Sequence, residues 1–61
     1  MKKVIITKKD GKKGVLTLAQ DGKWDVEIDG RPMPQNYHYT TDQIERIIAS
    51  ARANGENVEL S

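Results

Sequence analysis

The sequence contains no cysteine and only one histidine, His38. Disulfide bonds are therefore excluded, and so are the metal sites that proteins build from thiolates or from clusters of imidazoles. Phenylalanine is also absent, so a core must come mainly from Ile, Val and Leu together with Trp24. In 61 residues this composition allows one small α+β domain, residues 1–61, that depends on apolar packing for its stability. We expect neither a metal nor a cofactor.

Long apolar runs are missing as well. The opening segment MKKVIITKK has only three consecutive apolar residues, Val4, Ile5 and Ile6, before polarity resumes. This is far short of a signal-peptide core, and no stretch approaches the roughly 20 apolar residues that span a bilayer. The sequence therefore predicts a cytoplasmic protein without a membrane segment.

Charge is distributed unevenly along the chain. Residues 1–13 carry a net charge of +5, whereas residues 14–61 carry a net charge of −4. Such asymmetry is one indication of a nucleic-acid or acidic partner.

Three Asp-Gly pairs, at residues 10–11, 21–22 and 29–30, separate or follow β-prone runs at residues 4–7, 14–19 and 23–28. Asp-Gly between such runs is a strong hairpin signal, because glycine adopts the positive φ that the turn requires. Two-residue loops would divide the apolar side chains between both faces of the sheet. Three-residue loops that end in Gly11 and Gly22 instead pair Leu18 with Trp24 and Leu16 with Val26. They gather one apolar face, which consists of Val4, Ile6, Leu16, Leu18, Trp24, Val26 and Ile28.

After Ile28 the segment DGRPMPQNYHYT contains both prolines, which indicates an extended connection or at most an edge strand. A helix follows, because Thr40 and Gln43 have the spacing of a capping box and Asn54-Gly55 provides a left-handed stop. Its apolar stripe consists of Ile44, Ile47, Ile48 and Ala51. The alternation of Val58 and Leu60 with polar residues predicts a short last strand. The predicted fold is a two-layer α+β domain, βββαβ: three hairpin-connected antiparallel strands, a short C-terminal strand and one helix on one face.

Catalysis has little support in the sequence. Asp25 and Glu27 share one face of a strand, but a small open sheet face lacks the cleft that perturbs catalytic carboxylates. His38 stands between Tyr37 and Tyr39, where no nucleophile, base and orienting group can be assembled at a supporting spacing. We therefore expect a protein that is not an enzyme.

Tyr37 and Tyr39 could instead stack on bases, but no lysine or arginine stands next to either of them.

Two binding surfaces remain. The outer sheet face should carry a weak apolar patch of Ile5, Val15, Thr17 and Ala19, suited to another protein or to self-association. The first hairpin tip carries Lys8, Lys9, Lys12 and Lys13, which could track nucleic-acid phosphates or other anions, or simply keep the tip soluble.

The leading hypothesis is a small non-catalytic module that binds another protein through its sheet face or edge. The first alternative is a nucleic-acid-binding domain that uses the lysine-rich hairpin tip. The second is a scaffold with no ligand. Its regular turns and caps would suit a designed chain, whereas the Tyr-His-Tyr connection favours a natural bacterial or phage protein.

Overall fold

A computed structural model describes residues 2–32 and 39–61 of the chain. Its elements, in chain order, are β1 (Lys3–Thr7), β2 (Lys13–Leu18), β3 (Trp24–Ile28), β4 (Arg31–Pro32), α1 (Thr41–Ala53) and β5 (Asn57–Leu60). The strands form one antiparallel sheet in the order β4-β3-β2-β1-β5. The α+β prediction is confirmed, with β4 as an additional two-residue strand.

The first two hairpins have the predicted register. Leu16 pairs with Val4 on one side and with Val26 on the other, and Leu18 pairs with Trp24. Both loops contain three residues and are built alike. In each loop the Asp side chain accepts a hydrogen bond from the backbone N–H two residues later, at 3.0 Å. Gly11 and Gly22 have φ values of 90° and 82°, which fixes the register through glycine.

The third Asp-Gly pair forms a tighter hairpin between β3 and β4. Ile28 pairs with Arg31, so the loop is only Asp29 and Gly30, with φ values of 53° and 78°. Positive φ at both central residues is the mark of a type I′ turn, which suits a two-residue hairpin. Pro32 ends β4 at the edge of the sheet, where a residue without an N–H is tolerated.

Tyr39 also pairs with β3. Its backbone exchanges two hydrogen bonds with Trp24, of 2.8 and 3.3 Å. Tyr39 leads directly into the helix, so this bridge fixes where α1 begins relative to the sheet.

Helix α1 has the predicted caps. The Thr40 side chain accepts from the backbone N–H of Gln43, and the Gln43 side chain accepts from the backbone N–H of Thr40. At the other end Gly55 has a φ of 74°. The N–H groups of Gly55 and Glu56 donate to the carbonyls of Arg52 and Ala51, which is a Schellman motif.

The core lies between α1 and the sheet. Its buried members are Val4, Ile6, Leu16, Trp24, Ile44, Ile48 and Ala51. The Trp24 side chain is only 1% exposed, and its indole Nε1–H donates to Oγ1 of Thr41 at 3.1 Å. Ile47 is only half-buried, and Ile28, expected on the dry face, is 41% exposed. One helix about 10 Å wide cannot cover a five-stranded sheet, whose strands lie about 4.8 Å apart.

Candidate functional site

The outer face is the sheet face that points away from α1. Strand alternation places on it the residues that neighbour the core positions. Its apolar centre is Ile5 and Val15, which are direct cross-strand partners and are both half-buried. Among the described residues no helix or second sheet covers this face. The sequence prediction of an apolar patch therefore has a definite location on the sheet.

A carboxylate stands on each side of this apolar pair. Ile5 pairs with Glu59 of β5, and Val15 pairs with Glu27 of β3. Across the strands the row reads Glu59, Ile5, Val15, Glu27, Pro32, and both glutamates are exposed. The apolar centre is therefore flanked on two sides by negative charge.

The other two predicted patch residues lie farther along β2. Thr17 is exposed and pairs with Lys3 and Asp25, so a polar row adjoins the apolar one. Ala19 lies beyond the end of β2, about 13 Å along the chain direction from Val15. The structure brings Ile5 and Val15 together, but it does not bring Ala19 into contact with that pair.

Strand β5 forms one edge of the sheet. Ser61 exchanges two backbone hydrogen bonds with Lys3, each of 2.9 Å. In an antiparallel ladder such pairs alternate, so Glu59 and Asn57 also direct their amide and carbonyl groups at β1. Those of Val58 and Leu60 point away from the sheet. Within the described ranges, no strand pairs with this side of β5.

A shallow apolar groove runs beside that edge. It has a volume of about 270 Å³ and lies between α1 and β5, lined by Glu45, Ile48, Ala49, Arg52 and Leu60. The Leu60 side chain is 47% exposed there. The sequence predicted β5 as a strand but not its neighbour, so neither this groove nor the role of Glu59 beside Ile5 could be anticipated.

The lysine tip, defined as Lys8, Lys9, Lys12 and Lys13, is fully on the surface, with all four residues exposed. The backbone N–H of Lys8 donates to the carbonyl of Lys12 at 2.9 Å, so these two residues face each other as expected. Directly opposed like charges repel each other across a strand pair.

Lys9 has a structural neighbour that the sequence did not indicate. Its Cε and Nζ lie 3.6 and 3.8 Å from the position that a Cβ would occupy at Gly55. The ammonium group is therefore next to the C-terminal end of α1, where the helix dipole favours a positive charge. The lysine tip therefore approaches the end of α1 through Lys9.

A second opening lies between α1 and the sheet on the β3 side. This cleft has a volume of about 390 Å³, and its walls include Leu16, Val26, Ile28, Ile47 and Ala51. It explains the exposure of Ile28. The apolar pattern indicated that these residues share a face, but it could not show how far the helix would cover them.

The structure adds little to the other residues that the sequence analysis considered. Asp25 and Glu27 are exposed on the outer face, as expected. Tyr37 and His38 lie outside the described residues. Within residues 2–32 and 39–61, no three His, Cys, Asp or Glu side chains are grouped so as to hold a metal ion. The helix in this part of the chain is neither long nor apolar enough to cross a membrane.

Comparison with known proteins finds no matching family model, no matching curated protein and no matching solved structure.

Proposed function

We propose that this chain is a small non-catalytic module that binds another protein through its sheet. The observation that carries the proposal is the outer face, on which Ile5 and Val15 form an apolar centre with a carboxylate on each side of the pair. Within residues 2–32 and 39–61 one helix is present, and it packs on the opposite face. An apolar centre with a charged rim is the usual anatomy of a protein interface.

The arrangement of charge indicates the kind of partner. Glu27 and Glu59 flank the apolar pair, whereas Lys3 and Asp25 in the adjacent row have opposite signs. A partner surface with an apolar centre and basic residues on either side would match the central row. Complementary charge of this kind speeds association and selects among partners more than it adds affinity.

The test is affinity capture from extracts of the source cell with the purified chain and two matched variants. Val15→Lys places a charge in the apolar centre opposite Glu27, which should keep the fold intact. Ala53→Lys makes the same change in charge at an exposed position in the last turn of α1.

We expect the original chain and Ala53→Lys to capture the same protein, and Val15→Lys to bind the purified partner at least about ten-fold more weakly, as a hot-spot residue would. If nothing is captured, the proposal is wrong. If all three chains bind the partner equally, the outer-face centre of Ile5 and Val15 is not the binding surface.

Nucleic-acid binding is a second candidate function, favoured by the exposure of all four tip lysines and by the opposed pair Lys8 and Lys12. A basic hairpin can follow phosphates, and each neutralised phosphate makes binding more sensitive to salt. Four contacts predict a slope of about −3.6 for log K against log[salt] on duplex DNA.

An electrophoretic shift series at rising salt tests this candidate. Absence of a shift at low salt excludes it. A shift that persists unchanged in the Lys8→Ala, Lys12→Ala double variant would remove the hairpin from the binding site.

A further inference from the structure

We infer that the outer edge of β5 accepts an extended segment of another protein as an additional antiparallel strand, with a basic residue opposite Glu59 between two apolar residues. This inference rests on the proposed function, because it specifies one part of the sheet and the chemistry of the segment that binds there. It is independent of the outer-face centre at Ile5 and Val15.

The backbone of β5 provides the pairing groups. The N–H and C=O groups of Val58 and Leu60 point away from β1, because Ser61, Glu59 and Asn57 take the alternate positions that bond to it. An added strand would bond to these outward groups, as in β-augmentation.

The two edges of the sheet differ. The described part of the opposite edge strand, β4, is Arg31–Pro32, and the ring nitrogen of Pro32 carries no hydrogen. Short edge strands and prolines are the devices by which proteins prevent edge pairing. β5 has four residues and no proline, so it is the more open edge in the described part of the chain.

The groove beside β5 supports the apolar residues that flank the basic residue of the added segment. Val58 and Leu60 pair with Ile6 and Val4, so all four side chains lie on the helix side of the sheet. Side chains of an added strand that stand opposite Val58 and Leu60 would lie on that same side. The side chain opposite Leu60 would lie beside the groove, whose apolar lining is Ile48, Ala49 and Leu60.

Glu59 determines the charge of the segment. Its side chain is exposed on the outer face, between the two residues that supply outward backbone groups. The residue opposite it in an added antiparallel strand forms a non-hydrogen-bonded pair, in which side chains approach most closely. A lysine or arginine is attracted at this position, and an acidic residue is repelled.

The same geometry disfavours a second copy of this chain. A symmetric antiparallel pairing that uses the whole of residues 57–61 is centred on Glu59. Each Glu59 would then face its counterpart in the closest type of cross-strand pair, where like charges destabilise pairing. The segment that fits is therefore one of opposite charge from a different protein.

The experiment uses the full chain, labelled with ¹⁵N, and the capped pentapeptide Thr-Val-Lys-Val-Thr. A control peptide has Glu in place of Lys. We expect the lysine peptide to shift the amide resonances of Val58 and Leu60 and to slow their hydrogen exchange. It should bind about five-fold more tightly than the glutamate peptide, the ratio that one cross-strand charge pair supports.

Matched variants locate the charge effect. In Glu59→Gln the two peptides should bind within about two-fold of each other, because the carboxylate that discriminates between them is gone. Asp25→Asn removes an exposed carboxylate from the outer face on β3, three strands and about 14 Å away from β5 and outside the row of Ile5 and Val15, and should keep the five-fold ratio.

Backbone N-methylation of the peptide tests strand addition itself. A methyl group on one valine nitrogen blocks a bond to β5 and should abolish the shifts, whereas a methyl group on the lysine nitrogen faces away and should not.

Three results would overturn the inference. One is the absence of any amide shift at millimolar peptide, and another is a response confined to Ile5 and Val15. The third is a wild-type chain that sediments as a dimer in which the amides of Val58 and Leu60 are protected from hydrogen exchange. The second result would leave the proposed function standing, since binding would then use the sheet face. If no protein is captured from the cell extract but the peptide clearly adds to β5, the proposed function would be wrong and the inference about the β5 edge would stand.

Discussion

Replacement of Trp24 by alanine should remove most or all of the stability of this domain. The side chain is 1% exposed, and it is one of the largest in the core between α1 and the sheet. Deletion of a buried tryptophan costs about 3–5 kcal/mol, through lost burial and the cavity left behind. A chain of 61 residues has a free energy of unfolding of about 3–9 kcal/mol at typical values per residue. The loss is therefore comparable with the total.

The indole also holds the start of the helix. Its Nε1–H donates to Thr41, the first residue of α1, and the Trp24 backbone pairs with Tyr39 just before the cap. Thr41→Val removes the acceptor and leaves a largely buried N–H without a partner, which should cost about 1–3 kcal/mol. In the Trp24→Phe background the same substitution should cost almost nothing, because no donor remains.

Urea unfolding followed by far-UV circular dichroism measures all four proteins of this cycle, as well as Trp24→Ala. Fluorescence is unsuitable, since Trp24 is the only tryptophan. We expect Trp24→Ala to be unfolded in water or to have a much lower midpoint. A free energy of unfolding within about 1 kcal/mol of the original chain would refute the assignment of the dry face. Equal costs of Thr41→Val in both backgrounds would refute the coupling through the indole.

Further predictions concern the turns, the cap and the tip, each measured by the same urea unfolding. Gly11→Ala should cost about 1 kcal/mol or more because φ is 90°, whereas Gly14→Ala, with open space at its Cβ, should stabilise the sheet by about 0.5 kcal/mol. Thr40→Ala should cost about 1 kcal/mol, since it removes the hydroxyl that accepts from the backbone N–H of Gln43. Lys9→Ala should destabilise the chain by a few tenths of a kcal/mol at low salt, and Lys12→Ala should not, because only Lys9 lies at the end of α1. A reversed order within either pair would contradict the corresponding argument.

The register of the first two hairpins could be predicted because two local signals agree. A one-residue slip would have exposed Leu16 and Leu18, and glycines at the third loop position allow the alternative that buries them. The helix could be predicted equally well, since residues close to Thr40 determine its start and Gly55 determines its end. Both are cases in which local sequence and global packing demand the same structure.

The partners of the edge strands could not be predicted in the same way. Alternation at Val58 and Leu60 identifies a strand, but its partner depends on where a 13-residue helix delivers the chain. The two-residue β4 has no periodicity to detect. The same is true of the candidate site. Glu59 lies beside Ile5 only because β5 pairs with β1, so its place in the row could not be predicted.

The position of Lys9 changes how the lysine tip should be tested. One of the four charges is next to the end of α1, where it contributes to the folded state. A variant without all four lysines would therefore lose stability and anion affinity together, and reduced DNA binding could not be assigned to either. Lys8→Ala with Lys12→Ala avoids this, because the removal of two opposed charges relieves repulsion. If urea unfolding shows this variant to be at least as stable as the original chain, a loss of binding is assigned to the missing phosphate contacts.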